Sequence, residues 1–167
     1  MAWTWVRPAD SRLLAPRPLL DVGTGDGQTL RALVEPHGLV VGVDRAVVPM
    51  RALPRAGVRV AAAEAAHLPF KDGSFDAVLA GDLFHHLDDQ TLASVVEEIR
   101  RVLGPDGVLV AWWYTETGRA GVDSPRYPRN YESVAALAEA YIPVEPLELT
   151  ATLEPSPPTA GLLGKAG

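Results

Sequence analysis

The chain has no cysteine among its 167 residues. Disulfides, thiolate-held metals and cysteine nucleophiles are therefore excluded. No apolar run approaches the ~20 residues that a membrane-spanning helix needs. The opening MAWTWVRPADSR carries no long apolar core of the kind a secretory signal has. The expectations are no membrane association and a cytoplasmic location. Basic charge is also short: 15 Lys and Arg stand against 21 Asp and Glu, a net charge of −6. A surface built to neutralise phosphates has the opposite balance, so nucleic acid is not an expected partner. The arginines between Arg119 and Arg129 leave room for one local basic patch. With four histidines in all, the nearest approach to a metal set is Asp82, His85, His86, Asp88 and Asp89. Adjacent histidines usually point apart, and no metal is expected.

What is present reads as a globular α/β chain, 47% hydrophobic and 22% charged. LLDVG (19–23), LVVGVD (39–44), VRVAAAE (58–64), SFDAVLAGD (74–82) and GVLVAWWYT (107–115) are apolar runs of strand length. Between them lie helical spacings. Leu30, Leu33 and Val34 follow Gly27, and Pro36-His37-Gly38 ends that run. Asp88 or Asp89 can cap a helix whose apolar face is Leu92, Val95, Val96, Ile99, Val102 and Leu103, stopped by Gly104-Pro105-Asp106-Gly107. A helix is expected over 130–142, and PLELTATL (146–153) and TAGLLGK (159–165) read as strands. Strands alternating with helices predict a doubly wound, mostly parallel sheet covered on both faces. One domain is expected over residues 1–167, with 1–18 an N-terminal arm. Ligands of such sheets sit beyond the carboxyl ends of the strands. There this sequence gathers Gly23 to Gly27, Asp44, Glu64 and Gly81 to His86.

The loop GTGDG spaces its glycines at 23, 25 and 27. Glycine admits a left-handed backbone and lets a ligand approach without a Cβ in the way. A strand–glycine loop–helix unit also aims free N–H groups at that ligand. Two ligands compete for it. A dinucleotide site wants G-x-G-x-x-G, and Gln28 stands where its third glycine would be. A nucleoside carrying a sulfonium has no pyrophosphate to cradle, and the acids Asp21 and Asp26 suit its positive charge. A tight βα turn alone would also call for glycines. Asp44 ends the second strand, where a carboxylate can accept both hydroxyls of a ribose. Glu64 ends the third and can accept from a ligand amine or hydroxyl. Either acid also reads as a solvated residue at a strand end.

The series LLDVGTGDG, VVGVD, AEAAHLPFKDGSFDAVLAGDLFHHL and EEIRRVLGPDGVLVA resembles the class I S-adenosylmethionine-dependent methyltransferases. It is most similar to the type 11 group that contains the ubiquinone/menaquinone-biosynthesis enzymes. The likeness runs from about Leu19 to Ala111. It implies a Rossmann-like sheet of seven strands, the last antiparallel and inserted between the fifth and sixth, with PLELTATL and TAGLLGK as the final two. It implies S-adenosyl-L-methionine as methyl donor and S-adenosyl-L-homocysteine as product; the expected acceptor is a small molecule, which the resemblance does not specify. Asp21, Gly23, Thr24 and Gly25 would surround the methionine moiety. Asp44 would hold the ribose, with Arg45 beside the adenine. Glu64 stands where the family usually has Asp, and Ala65 would offer backbone to the adenine ring. Gly81 and Leu83 would border the sulfonium.

Methyl transfer is an in-line displacement at an activated carbon, so positioning and, for some acceptors, a base are what the protein supplies. His85 is the better base candidate of the His85–His86 pair, although both also read as packing or capping the start of a helix. Trp112 and Trp113 alternate across the sheet, so they point to opposite faces. Trp113, Tyr114, Trp3 and Trp5 are the expected acceptor-pocket aromatics. The N-terminal arm and the insertion after the fifth strand, which form the lid in relatives, are short. The pocket is then open, or covered by Trp3 and Trp5, or walled by a second copy in a homodimer. Two alternatives stay open: a non-catalytic S-adenosylmethionine-binding or partner-dependent module of the same fold, and a nicotinamide-dependent oxidoreductase.

Overall fold

Four consecutive buried residues, Leu19–Val22, form a strand at the centre of the main sheet of the computed structural model, which describes residues 6–8, 18–31, 40–46, 58–115, 127, 129–147, 149–151 and 159–167. Among these residues the strands are β1 (Val6–Pro8), β2 (Leu19–Val22), β3 (Val40–Asp44), β4 (Val58–Ala62), β5 (Phe75–Gly81), β6 (Leu103–Tyr114), β7 (Val144–Pro146), β8 (Leu149–Ala151) and β9 (Thr159–Lys165). Helix α1 spans Asp89–Val102 and α2 spans Tyr131–Ala138. Another helix opens at residues 28–31, directly after the glycine loop.

The seven-stranded sheet runs β4-β3-β2-β5-β6-β9-β7. Neighbours from β4 to β6 pair in parallel, whereas β9 pairs antiparallel with both β6 and β7. The strand order reverses beside β2: β3 leaves to one side and β5 to the other. That reversal opens a crevice at the carboxyl ends of the strands, where the glycine loop lies.

Side chains alternate between two covered faces. Ala77 and Leu79 of β5, and Val110 and Trp112 of β6, join Leu19 and Leu30 on one side. Val78, Ala80, Leu109, Ala111 and Trp113 join α1 and α2 on the other. Helix α1 turns Leu92, Val95, Val96, Ile99 and Val102 into that core, all fully buried. Each contributes about 1.5–3 kcal/mol by leaving water. Asp88 caps the helix, accepting from Thr91 N–H at 2.7 Å. Arg101, on the helix's solvent side, donates to the carbonyls of Leu68 at 3.0 Å and Phe70 at 2.8 Å. Glu98 accepts from Leu68 N–H at 2.7 Å and from Arg101 Nε at 2.7 Å. The hydrogen bond from Arg101 is the main cause that holds the Glu98 carboxyl below its ordinary pKa. This clamp fixes the loop that follows Glu64.

The structure corrects several boundaries. PLELTATL does not form one strand. Its first residue, Pro146, ends β7 in the main sheet, while Leu149–Ala151 pairs antiparallel with Val6–Pro8 in a separate two-stranded sheet. Val6–Pro8 falls in the stretch read as an arm. Leu103, assigned to the helix face, already pairs with Phe75. The register then jumps to Ala77 opposite Val108, so residues 104–107 bulge from the ladder instead of lying outside the strand. The helix expected over 130–142 ends at Ala138, its Asn130 cap accepting from Ser133 N–H at 2.8 Å.

Candidate cofactor cleft

The glycine loop bends because β2 hands its last backbone donors to β3. Gly23 N–H and Thr24 N–H both reach the Val43 carbonyl, at 2.9 and 3.0 Å. Such a turn needs left-handed backbone, and Gly23 and Gly25 supply it with φ of +77° and +53°. A Cβ on Gly23 would stand 3.1 Å from the Leu83 side chain, and one on Gly25 would meet no protein atom within 4 Å. Beneath the loop, Asp21 is 2% exposed and accepts from Thr24 Oγ1 at 2.7 Å. Burial raises its pKa to about 6, against the lowering effect of the Thr24 bond and with a further raise from the Asp44 charge.

At the end of β3 the Asp44 carboxylate accepts from Gly25 N–H and from Ala46 N–H, both at 2.8 Å. This cleft-lining acid is thereby tied to the glycine loop itself. Ala63 N–H donates to the Asp44 carbonyl at 3.1 Å, bringing the chain after β4 alongside. Across the crevice, Asp82 follows β5 with φ of +54°, the only non-glycine among the described residues with a positive φ, and its N–H donates to the Trp112 carbonyl at 2.8 Å. A 3₁₀ turn over Phe84–His86 comes next.

Together these segments enclose a cleft of about 390 Å³. Of the expected cofactor residues, Gly23, Gly25, Asp44, Arg45, Glu64, Ala65, Gly81 and Leu83 line it. Asp21 and Thr24 do not line it; they support the loop from below. Val43, Ala63, Asp82, His86 and Leu87 also line it and were not singled out as cofactor residues. Val43 and Ala63 were legible as the neighbours of Asp44 and Glu64. His86 was not, since the 3₁₀ turn decides which imidazole faces the cleft.

The acceptor-side expectations need correction. His85 is 3% exposed and does not line the cleft; its ring lies 4.1 Å from that of His86 and 5.5 Å from that of Tyr114. Trp113 is fully buried, 5.6 Å from the Phe84 ring, and belongs to the core. Tyr114 is half-buried against His85 and is not part of the lining either. Trp112 covers the opposite face beside Gly81, where an added Cβ would stand 2.5 Å from its ring. Trp3 and Trp5 lie outside the described residues. No three His, Asp or Glu side chains converge as a metal site among the described residues. No helix among them is long and apolar enough to cross a membrane.

A family model described as "Methyltransferase domain" matches residues 20–111, more than half of the chain. The chain belongs to the class I S-adenosylmethionine-dependent methyltransferases. An uncharacterized methyltransferase of Mycobacterium bovis is 36% identical over 121 residues, 70% of this chain and 46% of the relative. A demethylmenaquinone methyltransferase of Roseiflexus castenholzii is 42% identical over 96 residues, 54% of this chain and 40% of the relative. The chain thus spans about half the length of the curated relatives it matches. Among solved structures, the 1,6-didemethyltoxoflavin-N1-methyltransferase of Burkholderia thailandensis, with bound 1,6-didemethyltoxoflavin and S-adenosylhomocysteine, superposes with a TM-score of 0.71. It is 22% identical, and the match covers 93% of this chain and 72% of that one. At that identity the likeness concerns the fold of this methyltransferase.

Proposed function

We infer that this methyltransferase moves a methyl group from S-adenosylmethionine to a small-molecule nucleophile, and that the cleft beside Gly23–Gly25 holds the donor. The observation that carries the reading is the Asp44 carboxylate, presented at the cleft by two backbone N–H bonds, from Gly25 and Ala46. Each carboxylate oxygen keeps a lone pair for a ribose hydroxyl. The remaining lining fits the group as well. Val43, Ala63 and Ala65 give the lining an apolar part that suits a flat base, and Arg45 and Glu64 line the cleft with them. Gly25 leaves open space for a ligand backbone, and Asp44, Glu64 and Asp82 give the cleft an acidic bias that suits a cation. A pyrophosphate would meet those acids with repulsion, which disfavours a dinucleotide.

S-adenosylmethionine supplies a methyl carbon already activated by positive sulfur. The residues of the chain hold and orient it, and Gly81, Leu83 and Leu87 exclude water on the acceptor side. Where the acceptor must lose a proton, His86 is the imidazole that lines the cleft, whereas His85 is packed away. A small-molecule acceptor is supported by the similarity to a demethylmenaquinone methyltransferase, whose name gives a small molecule as its substrate. Calorimetric titration with S-adenosylhomocysteine, using NAD as control, tests the reading. Binding of the former alone is expected. Binding of NAD alone would overturn it, and S-adenosylhomocysteine binding without transfer to any acceptor screened would leave a binding module.

A further inference from the structure

Taking a guanidinium out of water is costly unless its N–H groups are bonded. Arg129 is 4% exposed and sits just before the cap of α2. Its Nη1 donates to Asp89 Oδ1, and its Nη2 donates to the Leu87 carbonyl at 2.6 Å. Its own carbonyl accepts from Trp113 Nε1 at 3.1 Å, which anchors the arginine to β6. Two residues earlier, Tyr127 donates its backbone N–H to the His85 carbonyl at 2.8 Å. The Tyr127 ring centre lies 5.8 Å from the guanidinium carbon.

The contacts outside β6 land on residues 85, 87 and 89, interleaved with or adjoining the cleft-lining Leu83, His86 and Leu87. The 3₁₀ turn is three residues long, and its N-cap, Leu83, provides no side-chain hydrogen bond. Short 3₁₀ segments also have poor hydrogen-bond geometry. The Asp89 side chain is 76% exposed, so the ion pair by itself is worth little. The part-buried bond to the Leu87 carbonyl is the one by which the guanidinium holds the backbone directly.

We propose that Arg129 is a positioning residue that sets the Leu83–Leu87 wall of the cleft from behind, through the Leu87 carbonyl and Asp89, and so controls how tightly the cleft grips its ligand. This rests on the reading of the cleft as the S-adenosylmethionine site. The test compares Arg129→Gln, Arg129→Lys and Asp89→Asn in the full chain. S-adenosylhomocysteine affinity is measured by calorimetry well below each thermal midpoint, together with amide hydrogen exchange over 83–89. Arg129→Gln should weaken binding about tenfold and speed exchange at 84–87 while the amides of β2 and β3 stay protected. Arg129→Lys should recover part of the loss, and Asp89→Asn should cost about threefold or less. If Arg129→Gln does not fold, the same local exchange pattern in the other two variants decides. Unchanged affinity with a lowered thermal midpoint, or exchange raised evenly across the sheet, would overturn the proposal. If the unaltered protein does not bind S-adenosylhomocysteine, the cofactor reading fails instead, and exchange at 84–87 still tests the wall.

Discussion

The two sides of the cleft are built from different materials. On the β2–β3–β4 side, main-chain N–H groups and short acids do the work: Gly23 and Thr24 bond to Val43, and Gly25 bonds to Asp44. On the β5–β6 side the wall is a brief 3₁₀ turn braced by packed rings and a buried cation: Phe84 on Trp113, His85 beside Tyr114, and Arg129 behind Leu87. The first side depends on residue types at particular positions: glycines take its left-handed turns, and the two oxygens of one carboxylate accept two N–H bonds at the end of β3. The second side demands only that something fill the space and brace the turn.

Substitutions can break this contrast, beginning where the effect should be largest. Gly23→Val puts a β-branched side chain on a backbone at φ +77°, with its Cβ against Leu83. Affinity for S-adenosylhomocysteine, followed by calorimetry, should fall about 100-fold or more. Next comes Asp21, whose folded pKa of about 6 lies above the ordinary value of 3.8. Its contribution to stability is fully present below the unfolded pKa and is lost as pH rises through 6, an effect of about 2–3 kcal/mol. Asn at this position does not titrate, so the stability of Asp21→Asn relative to the unaltered protein should climb between pH 4 and pH 7 in denaturant melts. A difference that stays flat with pH would mean that Asp21 is not titrating as a buried acid.

Asp44→Ala should weaken S-adenosylhomocysteine binding about tenfold, the scale of a lost charge-assisted hydrogen bond. Unchanged affinity would remove Asp44 from the site. The smallest effect on binding belongs to the His86 side chain. His86→Ala should leave that affinity within about threefold while slowing methyl transfer to an acceptor that must be deprotonated. A large loss of donor binding in this variant would make His86 part of the donor's grip instead of a base for the acceptor.

The same contrast explains what the sequence disclosed. The β2–β3–β4 side of the cleft was legible because its construction is local: the glycines of GTGDG, the acid closing VVGVD and the apolar runs of β2 and β3 each follow from nearby residues. Trp112 and Trp113 do point to opposite faces, as alternation requires. Both faces of a parallel sheet are covered, however, so Trp113 became core instead of pocket. His86 and not His85 faces the cleft because a 3₁₀ turn, invisible to strand or helix periodicity, sets the rotation. PLELTATL alternates as any half-exposed strand does, and its partner at Val6–Pro8 is some 140 residues away, so its division between two sheets depends on distant pairing.

The placement of β9 between β6 and β7 also dictates an order of assembly. β7 precedes β9 along the chain, yet among the described residues the only strand it pairs with is β9. During synthesis the parallel strands from β2 to β6 can pair as they emerge, and the crevice at their reversal can take shape with them. β7 must then wait, made but unpaired, until residues 159–165 arrive and bridge it to β6. The half of the sheet that carries the glycine loop is thus independent of the chain's final pairing step, and a late fault in that step would spoil the edge of the sheet before it reached the cleft.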